Sequence, residues 1–190
     1  MQTSRLIIGI SGASGIIYGI RLLQCLQQTN IETHLIMSAA AHKTCAYETS
    51  LTPGEIQNLA HKHYKITDIA AAVSSGSYKT TGMIIAPCSM RTLADIAAGT
   101  SNNLLTRAAD VVLKERRKLV LMTRESPLHL GHIRNMAQVT ELGAIIAPPV
   151  PAFYNNPQSI DDIVNHSVGR VLDLFDIDIG LVRRWGEIEQ

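Results

Sequence analysis

A short apolar run ending in a cluster of small residues lies near the start of the chain and restricts the fold more than any other stretch. Residues 5–19 read RLIIGISGASGIIYG. Leu6, Ile7, Ile8 and Ile10 have the composition of a strand buried on both faces. Ser11, Gly12, Ala13, Ser14 and Gly15 interrupt it, and a helical apolar periodicity resumes at Ile16 and continues to about Leu26. Strand, glycine turn and helix in that order open a parallel α/β sheet. The turn leaves backbone N–H groups at a helix N-terminus, where the helix dipole favours an anion. Ser11 and Ser14 are expected to add hydroxyl donors there.

The glycines fall at Gly9, Gly12 and Gly15, a spacing that departs from the dinucleotide G-x-G-x-x-G. The second strand, residues 32–37, ends in Ser38 where a ribose-binding carboxylate is expected for NAD. One phosphate of a mononucleotide fits better than a dinucleotide. Packing of helix on strand alone accounts for the same glycines, and these residues leave both readings open.

Strands and helices then alternate to the end. Residues 38–47 are alanine-rich and helical in pattern, with Glu48 just beyond. Thr52, Pro53 and Glu55 predict an N-cap, a first helical position and a capping-box partner for a helix running to about His63. Residues 67–82 read as a loop, and 83–86 as a buried strand stopped by Pro87. Helices are expected to about Ala98 and over 104–117, 133–142 and 160–174. Strands are expected over 119–123 and 144–147, and a proline-rich connection spans 148–154. The expected fold is α/β, a doubly wound parallel sheet between two helix layers, with residues 1–190 as a single domain.

A core built with only 4% aromatic residues must be aliphatic, and 46% hydrophobic residues suffice for one. A net charge of +1 gives no footprint for nucleic acid or a membrane surface. Cys25, Cys45 and Cys88 fit neither a disulfide framework nor a zinc site. No stretch resembles a signal peptide or a membrane span, so a cytoplasmic protein is expected.

In an open parallel sheet, ligands bind beyond the carboxyl ends of the strands. The loops expected there carry Ser14, Ser38, Ser89 with Arg91, Arg124 with Glu125, and Tyr154. The serines are also good helix N-caps. Residues 107–124 hold six of the seventeen basic residues. Arg107 and Lys114 are seven apart and share a helix face with Val111. Two long cations on a face that also carries an apolar residue point to an anion site, with an ion pair or a solvated face as the alternatives. Arg116, Arg117 and Lys118 suit the negative pole of the helix end. His129 with His132, and His61 with His63, lack the further ligands of a zinc site and read as structural or surface residues; no metal is expected. Gly12-Ala13-Ser14-Gly15 lacks the context of a nucleophile elbow.

The motifs together resemble the UbiX-type flavin prenyltransferases over nearly the whole chain. The matching segments are GISGASG at 9–15, MSAA at 37–40, YET at 47–49, PCS at 87–89, NNLLTRAAD at 102–110, LKERR at 113–117, RESP at 124–127 and FYNNPQS at 153–159. The resemblance implies a flavodoxin-like fold assembled as a dodecamer with active sites where subunits meet. It implies a metal-independent reaction between reduced FMN and dimethylallyl phosphate, with bonds formed at flavin N5 and C6. The product is prenylated FMN, the cofactor of UbiD-type decarboxylases in ubiquinone or aromatic-acid metabolism. Gly12, Ala13, Ser14, Ser38, Ser89, Met90, Arg91, Thr92 and Arg124 match FMN-contacting positions. Arg107, Lys114, Arg124, Glu125, Tyr154 and Arg170 match the group that holds the prenyl phosphate. Glu125 and Glu48 match the catalytic carboxylates, with Ser14 beside the flavin and Lys114 at the departing phosphate.

Those residue types suit the chemistry. An allylic carbon that loses phosphate needs cationic donors for the leaving dianion, and a base must take the proton released on ring closure. Some relatives carry a tryptophan in the loop before the Pro-Cys-Ser strand; here that loop offers Tyr78, and the one Trp is Trp185. Two other readings compete. A flavin-dependent cysteine decarboxylase requires a Pro-x-Met-Asn motif that Pro87-Cys88-Ser89-Met90 does not supply. A non-catalytic FMN-binding protein leaves the cationic helix unexplained.

Overall fold

A computed structural model of the chain describes residues 4–182, 184 and 186. Trp185 lies outside the described residues. The opening unit forms as expected: β1 (Arg5–Ile10), a turn at 11–15, and α1 (Ile16–Leu26). It sits at the centre of a six-stranded parallel sheet with the order β3-β2-β1-β4-β5-β6. The further strands are β2 (Glu32–Met37), β3 (Lys62–Tyr64), β4 (Gly82–Cys88), β5 (Lys118–Thr123) and β6 (Ile145–Ile146). The direction of winding reverses between β1 and β4, which opens a crevice beyond their carboxyl ends.

Side chains of each strand alternate between two aliphatic cores, one per face of the sheet. Leu6, Ile8 and Ile10 pack with α1, with α2 (Ala39–Glu48), and with α7 (Ile160–Asp173). Ile7, Met83 and Ile85 pack against α4 (Met90–Ala97), α5 (Leu104–Lys114) and α6 (Leu130–Glu141). Among the described residues no helix is long and apolar enough to cross a membrane.

Several local expectations are corrected. The capping box forms at α3 (Pro53–Gln57): the Glu55 N–H donates to Thr52 Oγ1 at 3.2 Å, and the Thr52 N–H donates to Glu55 Oε2 at 2.7 Å. The helix stops at Gln57, well short of residue 63, because Lys62–Tyr64 pairs with β2 as an edge strand. The Thr33 N–H donates to His61 Nδ1 at 3.1 Å, which fixes that connection. Strand β4 does not stop at Pro87. Its pairing with β5 shifts register between Ile85 and Cys88, so the residue without an N–H falls where the ladder is already interrupted. Helix α5 ends at Lys114, three residues early, because Arg116 adopts a left-handed conformation and the Arg117 N–H closes on the Val112 carbonyl at 2.9 Å. The Arg117 guanidinium then binds the Gly76 and Tyr78 carbonyls, so it anchors the 74–80 loop and does not serve the helix dipole. Lys118 begins β5.

Candidate active site

The turn after β1 is tied to its neighbours by one buried hydroxyl. Ser11 Oγ donates to the Pro87 carbonyl at 2.7 Å and accepts from the Ser89 N–H at 2.7 Å. Ser11 is 1% exposed, so it is a brace between two loops and not the anion donor expected of it. The Ser38 N–H donates to the Ile10 carbonyl, and the Arg124 N–H to the Cys88 carbonyl. The loops after β1, β2, β4 and β5 are thereby held at one rim.

A groove of about 210 Å³ lies on this rim, lined by Gly12, Ser38, Ser89, Arg91 and Thr92 with Asp95, Asn103 and Leu105. Three helices begin at it. Ser38 caps α2 by accepting from the Ala41 N–H, Ser89 caps α4 through the Thr92 N–H, and Asn103 caps α5 through the Thr106 N–H. Three N-terminal dipole ends and the exposed Arg91 favour a phosphate there. Gly12 is required at this place, since a Cβ would lie 2.3 Å from the Ala40 Cβ and push the start of α2 away. Met90 is half-buried against the core on the α4 side, and Ala13 is half-buried in the turn. Burial pushes the Cys88 thiol up to about 12, which leaves this cysteine inert beneath the groove.

The N-terminus of α1 holds an anion, but one supplied by the chain itself. Glu48, the last residue of α2, accepts from the Gly15 N–H at 2.7 Å and the Ile16 N–H at 3.0 Å. Gly15 makes this approach with a left-handed φ of +98°. The Ser14 hydroxyl bonds the same carboxylate, so it too is spoken for within the chain. Desolvation pushes the Glu48 carboxyl up, yet the bonds from Ser14, Gly15 and Ile16 and the charge of Arg124 outweigh it and hold the group below its usual value. Glu48 is thus an ionised cap that sets the Ser14 turn, and an incoming phosphate is left the groove at Gly12. A carboxyl whose folded pKa is depressed contributes stability above its unfolded pKa and loses it as pH falls through the folded one. The thermal midpoint should therefore drop on acidification below about 4.5, and Glu48→Gln should flatten that part of the profile. Superimposable acid profiles for the two proteins would remove Glu48 from this role.

Arg124 is exposed and reaches over the turn: a Cβ at Gly15 would lie 3.3 Å from Arg124 Cδ. Its charge is also felt by Tyr18, whose hydroxyl is pushed up by burial and partly restored by Arg124. Tyr18 went unnoticed in the sequence because it is one aromatic in an apolar helical stripe. Glu125 is exposed beside Arg124 and accepts from the Ser126 N–H at 3.0 Å.

Tyr154 and Arg170 meet in a separate cavity of about 360 Å³ beyond β5 and β6, with Met122, Ala147 and His166 in its walls. Tyr154 Oη and His166 Nε2 are 3.4 Å apart with the rings edge to face. Burial, then Arg170, lowers the pKa of His166, and Asp173 opposes them.

Arg107 and Lys114 do not join these clusters within one chain. Each has an ion-pair partner, Asp110 at 2.8 Å for Arg107 and Glu115 at 2.5 Å for Lys114. Seven residues of helix separate them by about 10 Å. Lys114 lies at the end of α5 remote from the rim, beside Gly76. Tyr78 does not face the crevice either; its ring packs edge to face on His34 and under Arg5, at the amino end of the sheet. Among the described residues no three His, Cys, Asp or Glu side chains gather to hold a metal.

The Flavoprotein family model matches residues 1–172. The flavin prenyltransferase UbiX of Escherichia coli strain K12 is 59% identical over 184 residues, covering 95% of this chain and 97% of the relative. The chain belongs to the UbiX family of flavin prenyltransferases. UbiX of Thauera aromatica is 55% identical over 181 residues, with 95% of this chain and 93% of that protein covered. The crystal structure of AnUbiX (PadA1) in complex with FMN and dimethylallyl pyrophosphate superimposes with a TM-score of 0.97 at 50% identity, covering 99% of this chain and all of that one. A dodecameric FMN-dependent UbiX-like decarboxylase from Escherichia coli O157:H7 gives 0.94 at 49% identity, with 95% and 98% covered. The peptidyl-cysteine decarboxylase EpiD shares the fold alone, with a TM-score of 0.61 at 16% identity over 81% of this chain and 90% of that one.

Proposed function

We propose that the rim binds reduced FMN and dimethylallyl phosphate and joins them to give prenylated FMN for a UbiD-type decarboxylase. The observation that carries this reading is the presence of two separate anion-favouring places on one edge of the sheet. The first is the groove where α2, α4 and α5 begin, with Arg91 beside it. The second is the cavity that Tyr154 and Arg170 share. A protein that merely stores flavin needs only the first. Gly12, Ala13, Ser38, Ser89, Met90, Arg91 and Thr92 are the flavin positions of this reading, with Ser14 and Arg124 at the ring end.

Bound reduced flavin supplies the nucleophile for the allylic carbon. The chain's own residues do the rest. Arg124 and Arg170 bind and stabilise the departing phosphate, Tyr154 orients it, and Glu48 fixes Ser14 against the turn. Glu125 passes a proton to the leaving group and later helps accept one.

Lys114 serves this reading only from a neighbouring copy, because it lies at the far end of α5 from its own rim, whereas Arg107 lies near the start of that helix and is paired with Asp110. Exposed apolar side chains on α6 and the following connection, Leu130, Ile133, Val150 and Phe153, supply surface for such an assembly, a homododecamer of one-unit chains in the cytoplasm. Anaerobic incubation with reduced FMN and dimethylallyl phosphate, followed by mass analysis, should show flavin carrying one dimethylallyl unit. Recovery of unmodified FMN from a protein that binds both compounds would refute the proposal.

A further inference from the structure

An ion network joins Arg170 on α7 to the chain that follows the helix. Asp173 sits one turn beyond Arg170 on α7 and is the hub of a small ion network. Its Oδ2 accepts from Arg170 Nη1 at 2.8 Å and from Arg184 Nη1 at 3.0 Å, while its Oδ1 accepts from Arg184 Nη2 at 3.0 Å. Arg184 also donates to Asp178 Oδ2 at 3.1 Å. Arg184 therefore grips both oxygens of Asp173 in a planar fork, and Arg170 reaches only one of them. The Asp173 side chain is 14% exposed and the Arg170 side chain 54%, so the carboxylate is enclosed while the guanidinium remains open to the Tyr154 cavity.

We infer that Arg184 is a positioning residue for the phosphate end of the site: by occupying Asp173 it prevents that carboxylate from pairing fully with Arg170. The inference rests on the reading of Arg170 as a phosphate contact. Without Arg184, Asp173 presents both oxygens to a guanidinium three residues away on the same helix, the spacing at which side chains meet. A bidentate Arg170–Asp173 pair neutralises the cation and turns its donors along the helix. An incoming phosphate dianion then has to break that pair before Arg170 can bind it.

The test is steady-state kinetics with dimethylallyl phosphate at saturating reduced FMN. Arg184→Ala should raise KM for the phosphate about tenfold, the scale of one charge-assisted bond, with kcat and FMN affinity little changed. Adding Asp173→Asn to Arg184→Ala should bring KM back to within about threefold of the parent, because the competing carboxylate is gone. A merely structural anchor gives the opposite sign, with the double variant weaker than the single, and that result overturns the inference. Arg184→Lys, which keeps the charge but cannot fork both oxygens, should have an intermediate KM; if Arg184→Ala fails to fold, rescue of Arg184→Lys by Asp173→Asn decides the matter in the same way. Arg170→Ala separates the two layers. An unchanged KM in that variant removes Arg170 from the phosphate and the inference with it. A raised KM there, with an unchanged KM in Arg184→Ala, removes the role of Arg184 alone.

Discussion

Glu125→Gln should bind FMN and dimethylallyl phosphate normally and form prenylated flavin at least ~10²-fold more slowly, the lower scale for losing a general acid–base group. Glu125 follows β5 directly and stands exposed next to Arg124, on the rim where the substrates of the proposed reaction meet. Its Oε1 accepts from the adjoining Ser126 N–H, a local bond that holds the carboxyl at the loop without burying it. Glu48 is a poor candidate for the same task, because three donors and Arg124 keep it ionised as the cap of α1. The two carboxylates named by the family resemblance thus differ in their surroundings: Glu48 holds the turn, and Glu125 stands exposed at the rim. Glutamine preserves the size of residue 125 and its acceptor for Ser126 while abolishing proton transfer. Single-turnover quench of the ternary complex, with binding measured on the same preparation, tests the prediction. A near-normal single-turnover rate would leave Glu125 as a positioning residue.

What the sequence revealed and what it hid follow from the range of the interactions. The apolar runs at 6–10 and 83–86 and the capping box at 52–55 are local signals, and each lies in the element read from it, although β4 runs on through Pro87 to Cys88. Strand β3 is three residues, Lys-His-Tyr, none of them fully buried, and exists only because β2 offers an edge. No local pattern announces such a strand. Pro87 within β4 was hidden for the same reason, since the break in the ladder that accommodates it belongs to the pairing with β5. At the site, the serines after β2 and β4 were legible as caps, whereas the brace made by Ser11 joins loops 76 residues apart. Glu48 reaches back 33 residues to Gly15, so its place at the helix start could not be read from the turn itself. The partner of Arg107 was within reach: Asp110 lies three residues on, a spacing that pairs side chains on any helix. The cations of α5 suggested one anion site because a helical wheel shows a face but not which end of the helix meets the crevice.

Arg124→Ala should lower kcat by about 10²–10³, the range for removing one preorganised donor to a developing anion. The main chain of Arg124 is fixed by its N–H bond to the Cys88 carbonyl, and its side chain extends over Gly15 beside Tyr18. Its field reaches both Tyr18 and Glu48, yet Glu48 is engaged by Ser14, Gly15 and Ile16. Among the described residues the guanidinium makes no salt bridge within 4 Å, and its charge acts on Glu48 only through space. In the proposed reaction that charge would serve the phosphate that departs from the allylic carbon. A planar fork there stabilises the leaving dianion more than the monoester ground state, so its loss should fall on kcat more than on KM. Arg124→Lys restores charge but not the fork and should recover about tenfold of the loss. The proposed reaction has the arginines and a neighbouring copy's lysine carry the phosphate, so the parent enzyme should keep its rate under exhaustive chelation. Loss of turnover with chelator, restored by magnesium, would assign the leaving group to a metal. A kcat unchanged in Arg124→Ala, with FMN affinity weakened, would confine Arg124 to holding the flavin.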